Sequence, residues 1–162
     1  IHVNEQDVRA MGRTARGVRA IRLKAGDKVV AMAKVDENTT VLTVTETGYG
    51  RTSDPSDYRI QSRGGKGLTN YHVEKYGDVA AIKVVDLDDD IIMISQDGII
   101  IRIAAESIRV CSRPSKGVTV MKVGEGDKVV TVARAPHEEE EQIEETISAE
   151  VLSDIAEWIK GL

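Results

Sequence analysis

The chain has 162 residues, a length that suits one domain or a short repeat array. It has no Phe, one Trp and 3% aromatic residues, so Val, Ile, Leu and Ala must fill its core, which favours short β-strands in thin layers. One cysteine, Cys111, excludes a disulfide framework, and no apolar run is long enough to span a membrane. We expect a soluble cytoplasmic protein with no membrane partner, and Ile1 at position 1 indicates a piece of a longer chain.

The net charge of -5 averages two unlike parts of the chain. Residues 1–134 hold 21 Lys or Arg against 18 Asp or Glu, whereas residues 135–162 hold 1 against 9. A mildly basic body therefore carries a strongly acidic tail.

Alternating apolar and polar residues predict a pair of strands in each of three units spaced about fifty residues apart. Each pair is separated by a Gly-Asp turn, at Gly26, Gly77 and Gly126. The predicted strands are residues 18–23, 28–33, 68–73, 79–85, 118–123 and 129–133.

A second set of strands lies between these pairs, at residues 40–45, 49–52, 91–95 and 99–103. Asp97-Gly98 between apolar runs is a strong hairpin signal. Four strands in about fifty residues match a propeller blade, so we predict an all-β, propeller-like array. The alternative is one sandwich built from the same hairpins, but the even spacing favours the array. The predicted units are a partial blade (1–36), two complete blades (37–86 and 87–134), an acidic linker (135–147) and a short amphipathic α-helix (148–162). For the apolar stripe of that helix, docking on the protein's own blades and binding a partner both remain open.

A turn rich in Gly and basic residues precedes the first strand of each unit. The middle turn, residues 61–67, is QSRGGKG, and cations recur fifty residues to either side of it. A regular array of cations suits a polyanion of regular spacing, namely double-stranded DNA. A phosphate-binding nucleotide loop is disfavoured because a strand, not a helix, is predicted to follow. The candidate DNA-binding residues are Arg13, Arg16, Gln61, Arg63, Gly64, Gly65, Lys66, Gly67, Arg113 and Lys116.

Other candidate sites are weaker. We expect the acidic run at residues 86–90 to be a solvated turn, because it lacks the spacing of a calcium loop. His2, His72 and His137 stand alone, so no metal site is predicted. We find no candidate catalytic residue and no cofactor motif.

Three motifs, residues 8–18 (VRAMGRTARGV), 47–52 (TGYGRT) and 61–67, together resemble the C-terminal domain of the bacterial DNA gyrase A protein. The resemblance covers residues 1–134 and implies blades of a six-bladed β-pinwheel whose basic rim wraps DNA. Such a domain contributes to ATP-dependent negative supercoiling. The implied partners are DNA, the rest of gyrase A and the gyrase B protein, and the active sites and any cofactor belong to regions outside this chain.

The sequence departs from the family pattern in two ways. Ser62 stands where Arg is usual in the seven-residue box. The family's essential box belongs to the first blade, whereas these motifs and the acidic tail resemble the last blades.

Three other interpretations remain open. The chain is also similar to the C-terminal domain of the DNA-cleaving protein of topoisomerase IV, in which the box is usually degraded. A protein-interaction propeller would leave the basic turns merely solvated, and a propeller-type hydrolase would need an acid, base or metal set that we do not find. A partial disc has an open edge, which leaves room for a strand-exchanged homodimer.

Overall fold

The computed structural model describes residues 1–136 together with Glu157, Lys160 and Gly161. Between residues 1 and 136, most of the regular secondary structure is β-strand, with one single-turn α-helix, α1 (Val73–Tyr76), and three single turns of 3-10 helix. The strands are β1 (Thr40–Thr45), β2 (Tyr49–Ser53), β3 (Val79–Val85), β4 (Asp89–Ser95), β5 (Ile100–Ala104), β6 (Val118–Thr119) and β7 (Val129–Pro136).

The first sheet has the strand order β3-β1-β2-β6, and all of its pairs are antiparallel. The hairpin between β1 and β2 turns at Gly48, whose φ of 88° lies in the left-handed region that glycine adopts without strain. Nearly every residue of β1 and β2 is buried, so both faces of this sheet are covered. The fourth strand, β6, follows the third basic turn, so the next unit along the chain completes this sheet.

The second sheet has the order β5-β4-β7, again antiparallel. Its hairpin turns at Gly98, with φ of 87°, as the Asp97-Gly98 pair predicts. β4, β5 and β7 repeat β1, β2 and β3 after about fifty residues, and this confirms the predicted all-β class and repeat. The strands predicted at residues 40–45, 49–52, 79–85, 91–95, 99–103 and 129–133 are all present.

The prediction that each basic turn opens a hairpin is wrong. Residues 18–23 and 68–73 form no strand, and the strand predicted at residues 118–123 is reduced to β6. In the second unit, side chains rather than a strand ladder hold the segment after the turn. Asn70 Nδ2 donates to Thr43 Oγ1 at 3.1 Å, and the buried Tyr71 hydroxyl donates to the Lys116 carbonyl at 2.8 Å.

Residues 28–33 are also not a strand, although their repeats β3 and β7 are. β3 and β7 pair with β1 and β4, whereas residues 28–33 pair with no strand among the described residues. Val29, Val30 and Met32 are consequently exposed, with Met32 94% accessible. A strand-forming pattern without a neighbouring strand leaves its backbone groups to water.

The acidic segment at residues 86–90 is only in part the solvated turn that the sequence predicts, because Leu87 and Asp88 form an exposed turn but the last two residues do not. β4 begins at Asp89, and the side chains of Asp89 and Asp90 are buried. Arg102 Nε lies 2.6 Å from Asp90 Oδ2, and Arg134 Nε lies 3.4 Å from Asp89 Oδ2. These ion pairs connect β4 to its two neighbours, β5 and β7.

One apolar core joins the two sheets. Arg134 also donates to the Val84 carbonyl at 3.3 Å, so β7 and β3 are linked beside this core. With no Phe available, aliphatic side chains and methionines fill the space. The core residues are Leu42, Val44, Val85, Ile91, Met93, Ala105, Ile108, Val120, Met121, Val129 and Val132.

The predicted linker begins later than expected, because β7 continues through Ala135 and Pro136. The rest of the predicted linker and most of the predicted helix at residues 148–162 lie outside the described residues. Glu157 and Lys160 are helical, and the Gly161 amide donates to the Glu157 carbonyl at 3.2 Å. Among the described residues, no helix is long and apolar enough to cross a membrane.

Candidate functional site

The middle and third basic turns each start where their unit contacts the preceding one. Ile60 forms a parallel bridge with His2, and Val110 forms the same bridge with Thr52, fifty residues on. The next amide continues the contact, since Gln61 N–H donates to the His2 carbonyl and Cys111 N–H to the Thr52 carbonyl, both at 2.8 Å. The middle and third turns are therefore held by equivalent backbone bonds.

The first basic turn, residues 13–17, presents both of its cations to solvent. Arg13 and Arg16 are exposed, and their side chains form no hydrogen bond or ion pair with other described residues. The Ala15 amide closes the turn on the Gly12 carbonyl at 3.1 Å. Both guanidinium groups are available to an anionic ligand.

The middle basic turn, residues 61–67, uses its glycines for contacts within the chain. Gly64 N–H donates to the Ala20 carbonyl at 2.7 Å, and the Gly65 carbonyl accepts from Arg22 N–H at 2.8 Å. Gly64 and Gly67 have φ of 79° and 78°, which other residues rarely adopt. The Gly64 amide is thus engaged with the first unit.

The cations of the middle turn, by contrast, are exposed. The side chains of Arg63 and Lys66 have no hydrogen-bond or ion-pair partner in the part of the chain that the structure describes. The turn therefore presents two unpaired charges on a backbone that is fixed by its glycines.

The third basic turn, residues 113–117, packs its cations on the second unit. Arg113 Nε donates to the Asp57 carbonyl at 2.7 Å, and Arg113 Nη1 donates to the Thr69 carbonyl at 3.2 Å. Lys116 Nζ lies 4.4 Å from the centroid of the Tyr49 ring, within range of a cation–π interaction. Arg113 is half-buried, whereas Lys116 stays exposed. The third turn is therefore the most firmly attached of the three.

A buried arginine, Arg51, lies beneath this turn. Its Nη2 donates to the Asn70 carbonyl at 2.6 Å and its Nη1 to the Ser115 carbonyl at 3.2 Å. Its guanidinium carbon lies 4.3 Å from the centroid of the Tyr71 ring. No carboxylate within the described residues pairs with it, so carbonyl oxygens and a ring face compensate its charge.

Burial raises the pKa of the Tyr71 hydroxyl, and the neighbouring Arg51 guanidinium opposes that rise. The sequence places Arg51 in a motif but gives no sign that its side chain is buried. A clue to the burial of Arg51 is its position within β2, where the residues on both sides of it are also buried.

Two antiparallel sheets related by a fifty-residue repeat, with exposed cations in the recurring turns, define a propeller-type repeat domain. The family model described as "DNA gyrase C-terminal domain, beta-propeller" matches residues 1–36, 39–86 and 89–136. The chain belongs to this family, which confirms the resemblance drawn from its motifs.

Individual relatives agree with the family match. The chain is 42% identical over 139 residues to the DNA gyrase A protein of Haloquadratum walsbyi and 38% identical over 143 residues to that of Staphylococcus epidermidis. These matches cover 84% and 86% of this chain but only 16% of each relative. The chain thus corresponds to about a sixth of the length of these curated relatives.

Solved structures show the same fold. A DNA gyrase A C-terminal domain matches with a TM-score of 0.74 and 31% identity, over 82% of this chain and 46% of that one. The C-terminal domain of DNA topoisomerase IV matches with a TM-score of 0.76 over 85% of this chain and 43% of that one. Its identity is 22%, so this second likeness concerns the fold alone.

Proposed function

We propose that this chain is a DNA-binding and DNA-wrapping segment of the DNA gyrase A protein and contributes to ATP-dependent negative supercoiling. One observation carries the proposal: in a member of this family, successive units present exposed cations without side-chain partners among the described residues. These are Arg13 and Arg16 in the first unit, and Arg63 and Lys66 in the second. Gln61, Gly64, Gly65 and Gly67 hold the backbone that presents Arg63 and Lys66 to the duplex, and Lys116, with a smaller contribution from the internally bonded Arg113, extends the array into the third unit.

Binding of this kind is nearly independent of sequence, because cations on turns contact phosphates rather than base edges. It also depends steeply on salt. Each phosphate contact changes the slope of log affinity against log salt by about -0.9, so four exposed cations give a slope of about -3 or steeper. Bending a duplex around a small disc costs on the order of several kcal/mol, and distributed contacts along the rim offset that cost.

The proposal assigns no catalytic step and no cofactor to this chain. Strand cleavage and ATP hydrolysis belong to other parts of the gyrase complex, so the implied partners are double-stranded DNA, the rest of gyrase A and the gyrase B protein, in the cytoplasm. The alternative within the same fold is topoisomerase IV, but the relatives with highest identity described above are gyrase A proteins.

The exposed segment at residues 28–33 supports the link to the rest of gyrase A. Its repeats β3 and β7 each pair with a strand from the same array, so a strand from the remainder of gyrase A would cover Val29 and Val30 in the same way. In the isolated chain, a second copy is the competing occupant. Sedimentation equilibrium of the 162-residue chain distinguishes a monomer from a strand-exchanged homodimer.

Filter binding to plasmid-length DNA across a salt series tests the proposal. Salt-dependent affinity that is equal for two unrelated sequences supports it, whereas no salt-dependent affinity points to a protein-interaction propeller. For wrapping, the chain is incubated with relaxed plasmid and a nicking-closing enzyme, and the trapped writhe is measured. Binding without a change in linking number would show that this segment binds DNA but does not wrap it alone.

A further inference from the structure

The fifty-residue repeat contains a third cation that lies outside the basic turns. Arg9, Arg59 and Arg109 are each four residues before the first cation of a turn. All three are exposed, and within the described residues their side chains form no hydrogen bond or ion pair. We call these three residues the second arginine column.

The backbone fixes the position of each of these arginines. Each follows a single turn of 3-10 helix, at Glu5–Asp7, Pro55–Asp57 and Ala105–Ser107. Each helical turn is closed by the same amide-to-carbonyl bond, from Val8 to Glu5 at 2.9 Å, from Tyr58 to Pro55 at 3.0 Å and from Ile108 to Ala105 at 3.0 Å.

Capping side chains hold the first two of these helical turns. Asn4 Oδ1 accepts from Gln6 N–H at 2.9 Å, and Asp54 Oδ1 accepts from Ser56 N–H at 2.8 Å. Hydrogen bonding from the Ser56 side chain, and then from its amide, lowers the pKa of Asp54.

In the second and third units the chain is also held at the residue that follows the arginine. Arg59 immediately precedes the bridge of Ile60 with His2, and Arg109 precedes the bridge of Val110 with Thr52. The Arg109 carbonyl also accepts from Thr52 N–H at 3.4 Å. A guanidinium on a fixed backbone loses less conformational freedom on binding than one on a flexible loop.

We propose that Arg9, Arg59 and Arg109 form a second column of phosphate contacts for the duplex that the basic turns bind. This inference rests on the function proposed above. Four residues of extended chain separate the Cα atoms of each arginine and of the turn cation that follows it by at most about 14 Å, a distance comparable with the major-groove width of about 12 Å. The two columns can therefore contact the backbones on either side of one groove. Arginine suits this role because its planar fork matches phosphate oxygens in a bidentate arrangement.

The third unit gives the column its clearest role. There, Arg113 is occupied by the Asp57 and Thr69 carbonyls, and Lys116 lies over Tyr49. Arg109 remains exposed and unpaired within the described residues. The second arginine column thus keeps an exposed guanidinium in the third unit, where the cations of the basic turn contact other groups of the chain.

The test compares the salt dependence of DNA binding among four forms of the whole chain. The first is the unaltered chain. The Gln column variant is Arg9→Gln/Arg59→Gln/Arg109→Gln, and the Lys column variant has Lys at the same three positions. The charge-matched control is Lys24→Gln/Lys75→Gln/Lys122→Gln, at three other exposed cations. Far-UV circular dichroism checks that each form is folded. We expect the Gln column variant to reduce the magnitude of the salt slope by about 2 to 3, at about 0.9 per lost contact. The Lys column variant and the control should each change the slope by less than about 1.

Equal slope changes in the Gln column variant and the charge-matched control would overturn the second column, because general charge would then account for the loss. If the unaltered chain binds DNA and the Gln column variant keeps its slope, the column is also overturned while the proposed function stands. If the unaltered chain shows no salt-dependent binding, the proposed function itself fails, and the column fails with it.

Discussion

The carbonyl oxygen of Gly50 occupies the space into which a Cβ atom on Gly117 would project. Gly117, with φ of 72°, ends the third basic turn and lies directly against the main chain of β2. One unit earlier, a Cβ on Gly67 would lie 3.3 Å from the backbone nitrogen of Ile1. Packing between units therefore requires glycine at position 117, whereas at position 67 the same packing is only tight.

Changing Gly117 to Ala should destabilise the fold more than the same change at Gly98. Both glycines have positive φ, so both variants incur the cost of a left-handed alanine, about 1 to 2 kcal/mol. A Cβ on Gly98 would meet nothing within 4 Å, whereas on Gly117 it would overlap backbone. We expect Gly117→Ala to lower the free energy of unfolding by more than about 3 kcal/mol in urea titrations. Equal losses for the two variants would contradict the close approach.

Arg51→Met should destabilise the protein by about 3 kcal/mol or more. Arg51 is fully buried, and the substitution removes the side-chain donors to the Ser115 and Asn70 carbonyls, whereas Asn70 Oδ1 keeps its bond from the Tyr58 hydroxyl. Each unsatisfied buried acceptor costs about 1 to 3 kcal/mol. The Arg51→Lys variant should be less stable than the unaltered protein but more stable than Arg51→Met, because one ammonium cannot reach all of these oxygens. Thermal and urea unfolding measure the effect, and the exposed Arg19→Met is the control, expected to stay within about 0.5 kcal/mol.

The sequence predicts those parts of the fold that depend on contacts between residues close together in the chain. The hairpins at Gly48 and Gly98 are specified by short turn signals, so their strands are where the alternation places them. Asn70 is held instead by Arg51 and Thr43, which are distant in sequence, and the strand pattern around it is overridden. β6 pairs with β2 across nearly seventy residues, which no local pattern encodes.

The same limit applies to the candidate site. The fifty-residue repeat identifies the cations of all three turns from the sequence alone. It does not show that Arg113 donates to two carbonyls whereas Arg63 is exposed, because those carbonyls belong to the preceding unit. Repetition predicts the position of a residue in its unit, but the neighbouring unit decides how its side chain is used.

Stability should fall at alkaline pH through Tyr71. Burial raises the pKa of its hydroxyl, so the folded state keeps the proton to higher pH than the unfolded chain. This contribution is fully present below about pH 10, the ordinary tyrosine value, and is lost as pH rises through the folded pKa. We expect Tyr71→Phe to show a shallower loss of unfolding free energy as the pH rises above about 10.

Urea titrations of both proteins at several pH values measure this difference, since the other titrating groups are common to both. At neutral pH, Tyr71→Phe should cost about 1 kcal/mol for the lost hydrogen bond to the Lys116 carbonyl. Parallel curves at alkaline pH would contradict the raised pKa.

Arg63→Gln and Arg113→Gln should separate DNA binding from stability. These arginines are equivalent in the repeat, yet Arg63 is exposed without a partner in the described part of the chain, whereas Arg113 bonds the Asp57 and Thr69 carbonyls. We expect Arg113→Gln to lower the free energy of unfolding by about 1 to 3 kcal/mol and Arg63→Gln to leave it within about 0.5 kcal/mol.

In DNA binding, Arg63→Gln should have the larger effect of the two variants, because only a free guanidinium neutralises a phosphate without first breaking internal bonds. Arg63→Gln should reduce the magnitude of the salt slope by about 0.9, and Arg113→Gln by less. Filter binding and urea unfolding of the same two preparations measure both quantities, and equal effects in either assay would show that the two turns are used alike.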